Sequence, residues 1–123
     1  MNERHEKGLQ IMKAIAGDYA DALAANIEQL APGFADTVIE FAFGDICARP
    51  GLDLKSRELA TIAALTALGN AAPQLRLHIN GALNVGCSRT EIVETIVQMA
   101  LYAGIPATLN GLNIAKDVFG VRP

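Results

Sequence analysis

Apolar residues recur at spacings of three and four along almost the whole chain, in segments that are separated by glycine and proline. Phe34, Val38 and Phe41 show this spacing, and Arg49-Pro50-Gly51 ends their segment. Such spacing places apolar side chains on one face of an α-helix. No segment has the alternating Val, Ile and Thr pattern of a half-buried strand. The sequence therefore predicts an all-α fold of six to seven helices.

Composition restricts the class of protein further. The chain has 123 residues, of which 51% are apolar, and shows no repeat, linker or low-complexity segment, so a single domain over residues 1–123 is expected. Ten Lys and Arg against thirteen Asp and Glu give a net charge of −3, which predicts that nucleic acid is not a partner. No apolar run approaches the ~18 residues that span a bilayer. Because the polar stretch Met1 to Lys7 is followed by no signal-type segment, we expect no membrane partner and a cytoplasmic location.

Several residues predict where helices begin and end. Asp18 is a candidate N-cap, and Ser88-Arg89-Thr90-Glu91 has the pattern of a capping box. Gly69 is placed to end one helix, and Gly104 to end another. The predicted helices include Glu3–Ala16, Asp18–Leu30, Asp53–Gly69, Pro73–Val85, Ser88–Ala103 and a last helix from about Pro106 to Phe119.

Alanine supplies much of the apolar content, with 21 copies, and this favours closely packed helices. The predicted helices Asp53–Gly69 and Ser88–Ala103 are apolar nearly all round, which is typical of buried helices. A small monomer has too little interior to cover so much apolar surface. The sequence therefore predicts a homo-oligomer, in which neighbouring subunits cover part of these helices.

The two histidines differ in their surroundings. His5 lies in a charged N-terminal segment and is expected to be solvated. His78 lies in the middle of a predicted helix, where an imidazole either transfers protons or is a core or interface residue held by one hydrogen bond. Glu58 is predicted near the start of the preceding helix, where the helix dipole favours a carboxylate. Alternatively Glu58 meets His78 across the short connector Gly69 to Ala72 and fixes its tautomer.

Other polar residues are candidates for binding a substrate. Arg57 and Arg76 have guanidinium groups that match a carboxylate, although arginines are common on surfaces. Gln98 and Tyr102 lie four residues apart on an otherwise apolar helix and are candidates for lining a pocket. Cys47 and Cys87 have no metal-ligand or C-x-x-C spacing and are interpreted as small, partly buried residues.

Common cofactor motifs are missing from the chain. There is no Gly-rich phosphate loop, no H-E-x-x-H, no EF-hand loop and no G-x-S-x-G. We therefore expect neither a metal nor another cofactor.

The second half of the chain, from Leu52 to Val118, contains an ordered set of short motifs. They are Ser56-Arg57-Glu58-Leu59, Ala67-Leu68-Gly69, Gln74-Leu75, His78-Ile79, Gly81-Ala82-Leu83-Asn84, Gly86, Glu91-Ile92, Glu94 and Tyr102-Ala103-Gly104-Ile105-Pro106-Ala107. Through this set the chain resembles the carboxymuconolactone decarboxylase family. The resemblance implies an all-α subunit of alkylhydroperoxidase D-like fold, built around a central helical hairpin and assembled into a trimer or hexamer.

The resemblance offers more than one function. The related alkylhydroperoxidase D-like proteins use a C-x-x-C followed by His, with an upstream Glu. Glu58 and His78 match the Glu and His, but the cysteine pair falls near Ala71 and Gln74, so disulfide-cycling peroxidase chemistry is disfavoured. A member with another small-molecule chemistry, or one that only binds or assembles, is a further alternative.

The decarboxylase branch fits best, because it needs no cysteine. The resemblance then implies loss of CO2 from a small carboxylated lactone in aromatic-compound catabolism, without a cofactor. His78 is expected to deliver the proton, Glu58 to orient it, and Arg57 or Arg76 to neutralise the substrate anion. Gln98 departs from the family pattern, because decarboxylases of this branch often have a histidine there.

Overall fold

The computed structural model describes residues 2–122, which form helices and loops without a β-strand. The all-α prediction is therefore confirmed. The chain divides into two compact units, one up to Asp53 and one from Leu54. Unit 1 contains α1 (Glu3–Ala16), a 3-10 turn (Gly17–Tyr19), α2 (Ala20–Leu30), α3 (Phe34–Thr37) and a π-helix (Val38–Cys47). Unit 2 contains α4 (Leu54–Leu68), α5 (Ala72–Asn84), α6 (Arg89–Gln98), α7 (Ala100–Ala103) and α8 (Ile105–Val121).

In unit 1 the main packing is between α1 and the π-helix. A Cβ atom on Gly8 would overlap the carbonyl oxygen of Ile39, so this glycine allows the two helices to approach closely. The Arg4 guanidinium forms two hydrogen bonds to the Asp45 carboxylate, of 2.9 and 2.8 Å. These bonds hold the pKa of Asp45 below its usual value and stabilise the crossing at the start of α1.

Two predictions about the helices of unit 1 are wrong. Asp18 does not cap α2, because residues 17–19 form a 3-10 turn whose Gly17 carbonyl accepts the N–H of Ala20. A backbone carbonyl oxygen therefore provides the hydrogen-bond acceptor that a capping side chain would otherwise provide at the start of the helix. The apolar spacing after Phe34 favours an α-helix, but from Val38 the backbone is a π-helix. Apolar spacing marks a buried helical face without distinguishing the two hydrogen-bond patterns.

In unit 2, α4 is the central helix and packs against α5, α6, α7 and α8. Its buried face contributes Ile62 to a core that also contains residues of α5, α6 and α8. The predicted helix over residues 53–69 is thus the central helix of unit 2, although only Glu58, Ile62 and Thr66 of α4 are buried. The core side chains include Ile62, Leu75, Ile79, Ala82, Cys87, Ile92, Ile96, Ala115 and Val118.

The helix ends in unit 2 follow the sequence with one exception. The capping box is present, since Ser88 Oγ accepts the N–H of Glu91 and the Glu91 carboxylate accepts the N–H of Ser88. The predicted continuous helix to Ala103 is wrong, because it is interrupted at Met99. There the N–H of Met99 bonds to Ile96 O, and that of Tyr102 bonds to Met99 O, so the ladder tightens to three-residue spacing.

None of the helices in the described residues is both long enough and apolar enough to cross a membrane.

Candidate active site

The structure brings Glu58 and His78 together in unit 2. Glu58 lies in the second turn of α4, and His78 lies midway along α5, after the short connector 69–71. The Oε1 atom of Glu58 is 2.8 Å from the Nδ1 atom of His78. The contact that the sequence predicts is therefore confirmed.

The carboxylate of this pair is buried in the core of unit 2. Glu58 is in register with Ile62 and Thr66, four and eight residues later, so it belongs to the face of α4 that packs into the core. Its side chain is only 1% exposed. A carboxylate in such a place is costly unless it is hydrogen-bonded or paired, and His78 provides that partner. The helix-dipole explanation of Glu58 is wrong, because α4 begins at Leu54 and its first turn contains no acidic residue.

The imidazole of His78 connects this buried carboxylate to the surface. With the Glu58 carboxylate as acceptor, Nδ1 is the donor of the hydrogen bond. The side chain is 19% exposed, so the ring is not sealed in the core. The Nε2 atom is therefore the nitrogen left to meet a ligand. A histidine held at one nitrogen by a carboxylate, with the other nitrogen available, has the arrangement of a general acid or base.

The two arginines take different positions. Arg76 is exposed on α5, and its Nη2 atom lies 3.5 Å from the Asp117 carboxylate on α8. Arg57, next to Glu58, is half-buried, and its carbonyl oxygen accepts a hydrogen bond from Thr61 Oγ1. The guanidinium of Arg76 thus already has an acidic neighbour within unit 2.

Gln98 and Tyr102 do not join the Glu58–His78 pair. Gln98 is the last residue of α6, and Tyr102 is in the single turn of α7, so Met99 separates them in the helical ladder. Both are exposed to solvent, Tyr102 to 76%. Their predicted role in lining a pocket stays a prediction.

His5 was expected to be solvated, and this is wrong. Its side chain is only 13% exposed, and its Nε2 atom lies 3.2 Å from the Asp36 carboxylate of α3. The Nδ1 atom is buried without a hydrogen-bond partner among the described residues. The charged residues around His5 in the sequence gave no signal of this burial, which arises from packing within unit 1.

The cysteines fit their interpretation as packing residues. Cys87 is buried, and its thiol donates a hydrogen bond of 3.5 Å to the carbonyl oxygen of Lys55. Cys47 is half-buried at the end of the π-helix. Among residues 2–122, no group of three or more His, Cys, Asp or Glu side chains is arranged to hold a metal ion.

The sequence model of the carboxymuconolactone decarboxylase family matches residues 32–117, well over half of the chain. The chain belongs to this family. The expected resemblance is confirmed.

Individual relatives extend the similarity. The chain is 33% identical to 4-carboxymuconolactone decarboxylase of Acinetobacter baylyi over 98% of its own length and 92% of the relative's. It is 29% identical to nitrosuccinic acid decarboxylase of Metarhizium robertsii, over 90% of this chain and 78% of that protein. An uncharacterized 15.0 kDa protein of Paracoccus denitrificans is 43% identical over 76% of this chain and 70% of its own. Two of these three relatives are decarboxylases.

Proposed function

We propose that this protein is a cofactor-independent decarboxylase that acts on a small carboxylated lactone, or on a related acid whose carbanion is stabilised by a neighbouring electron-withdrawing group. The observation that carries the proposal is the 2.8 Å contact between the buried Glu58 and His78, in a chain related to two decarboxylases. We expect the reaction to belong to the catabolism of aromatic compounds. We expect the protein to be located in the cytoplasm.

The proposed mechanism needs one proton. When the C–C bond to the carboxylate breaks, CO2 leaves and the bonding electrons are delocalised into the lactone carbonyl or the other electron-withdrawing group, which gives a stabilised carbanion. The imidazolium of His78 then gives its Nε2 proton to a carbon of this anion, and two electrons of the anion form the new C–H bond. Glu58 accepts the Nδ1–H throughout, which fixes the orientation of the ring. Solvent returns the proton to His78.

Arginine binds the substrate carboxylate before bond cleavage in this scheme. Arg57 is the first candidate, because it is half-buried and adjacent to Glu58. Arg76 serves the same purpose only by exchanging its Asp117 contact for the substrate. Gln98 and Tyr102 are proposed to donate hydrogen bonds to the lactone. A glutamine at this position orients a substrate but cannot relay a proton.

We also propose that the protein is a trimer or hexamer built from a single domain of residues 1–123. The outer face of α4 exposes Ala60, Ala64 and Leu68, and exposed apolar side chains continue onto α7 and α8. Contiguous apolar surface of this kind is typical of subunit interfaces. Partner subunits would cover Tyr102 and Gln98 and convert an open surface into the wall of a site.

The test is CO2 release from 4-carboxymuconolactone and from nitrosuccinic acid, measured with the wild type and with H78Q and E58Q. His78→Gln keeps a hydrogen-bonding side chain but removes the proton donor, so the rate should fall by roughly 10²- to 10⁴-fold. Glu58→Gln keeps the shape and should lower kcat more than it changes KM. His5→Gln, which alters the histidine of unit 1, should leave the rate unchanged.

The outcomes separate the alternatives. Turnover of either acid that survives His78→Gln would overturn the mechanism. Absence of CO2 release from both acids, with peroxide reduction that depends on Cys47 or Cys87, would favour a redox function instead.

A further inference from the structure

Unit 2 contains a cavity that does not include the Glu58–His78 pair among its lining residues. Its volume is about 290 Å³, which is near the lower end of the range for small-molecule sites. The end of α4, the start of α5 and the first half of α8 form its walls. Much of the wall is apolar, with Leu65, Leu75 and Ile114 as its larger side chains.

The polar groups of this cavity are uncharged. Thr66, Asn110 and Asn113 line it, and no carboxylate or basic side chain is among the lining residues in the described part of the chain. Hydroxyl and amide groups can donate hydrogen bonds to an anion. Binding through these groups does not require a basic side chain to be buried in the cavity. Among these lining residues, no ionised side chain repels an anion.

The start of α5 adds a second source of donors. No side chain caps this helix, which runs for 13 residues and begins at Ala72, itself part of the cavity wall. The first backbone bond of the helix runs from the N–H of Leu75 to the carbonyl oxygen of Ala71. The earlier N–H groups, of Ala72 and Gln74, therefore have no acceptor within the helix. The positive end of the helix dipole also favours a negative charge at this point.

Thr66 provides the independent observation. Its side chain is almost fully buried, with 2% of the residue exposed, and its Oγ1 atom has no hydrogen-bond partner among the described residues. A buried hydroxyl without a partner costs about 1–3 kcal/mol, so such groups usually mark a missing ligand or water. Gly111 faces this hydroxyl from α8, where a Cβ atom would lie 3.3 Å from Oγ1. Gly111 therefore allows α8 to approach α4 closely beside Thr66.

We propose that this cavity binds a small organic carboxylate, with the carboxylate at the start of α5 and its apolar body against Leu65, Leu75 and Ile114. Thr66 and Asn110 donate hydrogen bonds to the carboxylate, together with the N–H groups of α5. The site is separate from the proton-transfer pair and does not depend on the proposed decarboxylation.

The test uses benzoate as the probe and benzamide as its uncharged counterpart, each titrated into the full-length protein and followed by two-dimensional ¹H–¹⁵N NMR. Benzoate should shift the amide signals of Ala72 and Gln74 and bind at least tenfold more tightly than benzamide. Thr66→Val, which keeps the side-chain shape, should weaken benzoate binding roughly tenfold, as expected for loss of a hydrogen bond to a charged group. Thr66→Ser should retain binding, and Asn110→Asp should abolish it by repulsion.

Three results would overturn the proposal. These are equal affinity for benzamide, wild-type affinity in Thr66→Val, or shifts that fall outside α4, α5 and α8. His78→Gln is the control that keeps this proposal independent of the proposed function, because it should bind benzoate as the wild type does while losing CO2 release.

Discussion

The Nδ1 atom of His78 lies 2.8 Å from Oε1 of Glu58, and this hydrogen bond joins a carboxylate in the core of unit 2 to an imidazole that reaches the surface. The two residues come from successive helices, α4 and α5, which pack against each other. The pair therefore has a structural role as well as its proposed catalytic one, because burying either residue without its partner would lower the stability of the fold.

Removing the imidazole of His78 should destabilise the wild type more than it destabilises a variant that lacks the Glu58 charge. His78→Ala leaves the Glu58 carboxylate buried and unpaired, which is expected to lower the free energy of unfolding by about 3–5 kcal/mol. In a Glu58→Gln background the same change should cost clearly less, because no buried charge remains. Urea unfolding of the two single variants and the double variant measures the difference. Equal costs in both backgrounds would show that the pair contributes no coupling energy.

The capping box of α6 should make stability depend on acidity. The hydrogen bond from the backbone N–H of Ser88, with the nearby charge of Lys55, lowers the pKa of Glu91 from its ordinary value of about 4.3. The folded state thus binds this proton less readily than the unfolded chain. The resulting stabilisation is complete above the unfolded pKa and is lost as the pH falls through the lower, folded pKa.

We therefore expect Glu91→Gln to be less stable than the wild type at pH 7 and to approach it in strong acid. Urea unfolding at pH 7, 5 and 3 measures the effect. Glu94→Gln is the matched control, because Glu94 is exposed on the same helix outside the capping box. A stability difference between wild type and Glu91→Gln that does not change with pH would contradict the prediction.

A methyl group on Gly8 should be poorly tolerated. Gly8→Ala forces a Cβ atom against the Ile39 carbonyl oxygen, and such overpacking typically costs about 1–3 kcal/mol or more. Gly120→Ala is the control, because no atom of residues 2–122 outside the neighbouring residues and the local helix backbone lies within 4 Å of the added carbon. In α8 this second change should be neutral or stabilise by up to about 1 kcal/mol, since alanine favours the helix. Similar thermal unfolding of the two variants would show that α1 and the π-helix do not need the glycine.

The exposed apolar residues of α7 and α8 should be contacts between subunits. Light scattering with size exclusion is expected to give a mass three or six times the 13.0 kDa of one chain. Leu101→Glu should reduce that mass, because a carboxylate at a buried interface has no partner. Leu30→Glu, at an equally exposed leucine of unit 1, should leave the mass unchanged. A monomeric wild type would refute the assembly.

Much of unit 2 was predictable from local chemistry. The capping box at Ser88 and Glu91 and the left-handed backbone of Gly69 and Gly104 are properties of a few neighbouring residues, so their pattern in the sequence is sufficient. The family resemblance placed Glu58 and His78 at matching positions, and the short connector between their helices made a contact plausible. Unit 1 was less predictable, because the π-helix and the burial of His5 depend on helix packing.

The amino-acid sequence by itself determined the all-α class, the helix ends formed by short motifs and the family, because each of these depends on spacing along the chain. The tertiary structure decided which polar groups lose their water. It buried Glu58 against His78 and gave Arg76 an acidic neighbour in Asp117. It also left the hydroxyl of Thr66, which lines a cavity, without a hydrogen-bond partner among residues 2–122. Burial and pairing arise from residues distant in sequence, so no local pattern specifies them.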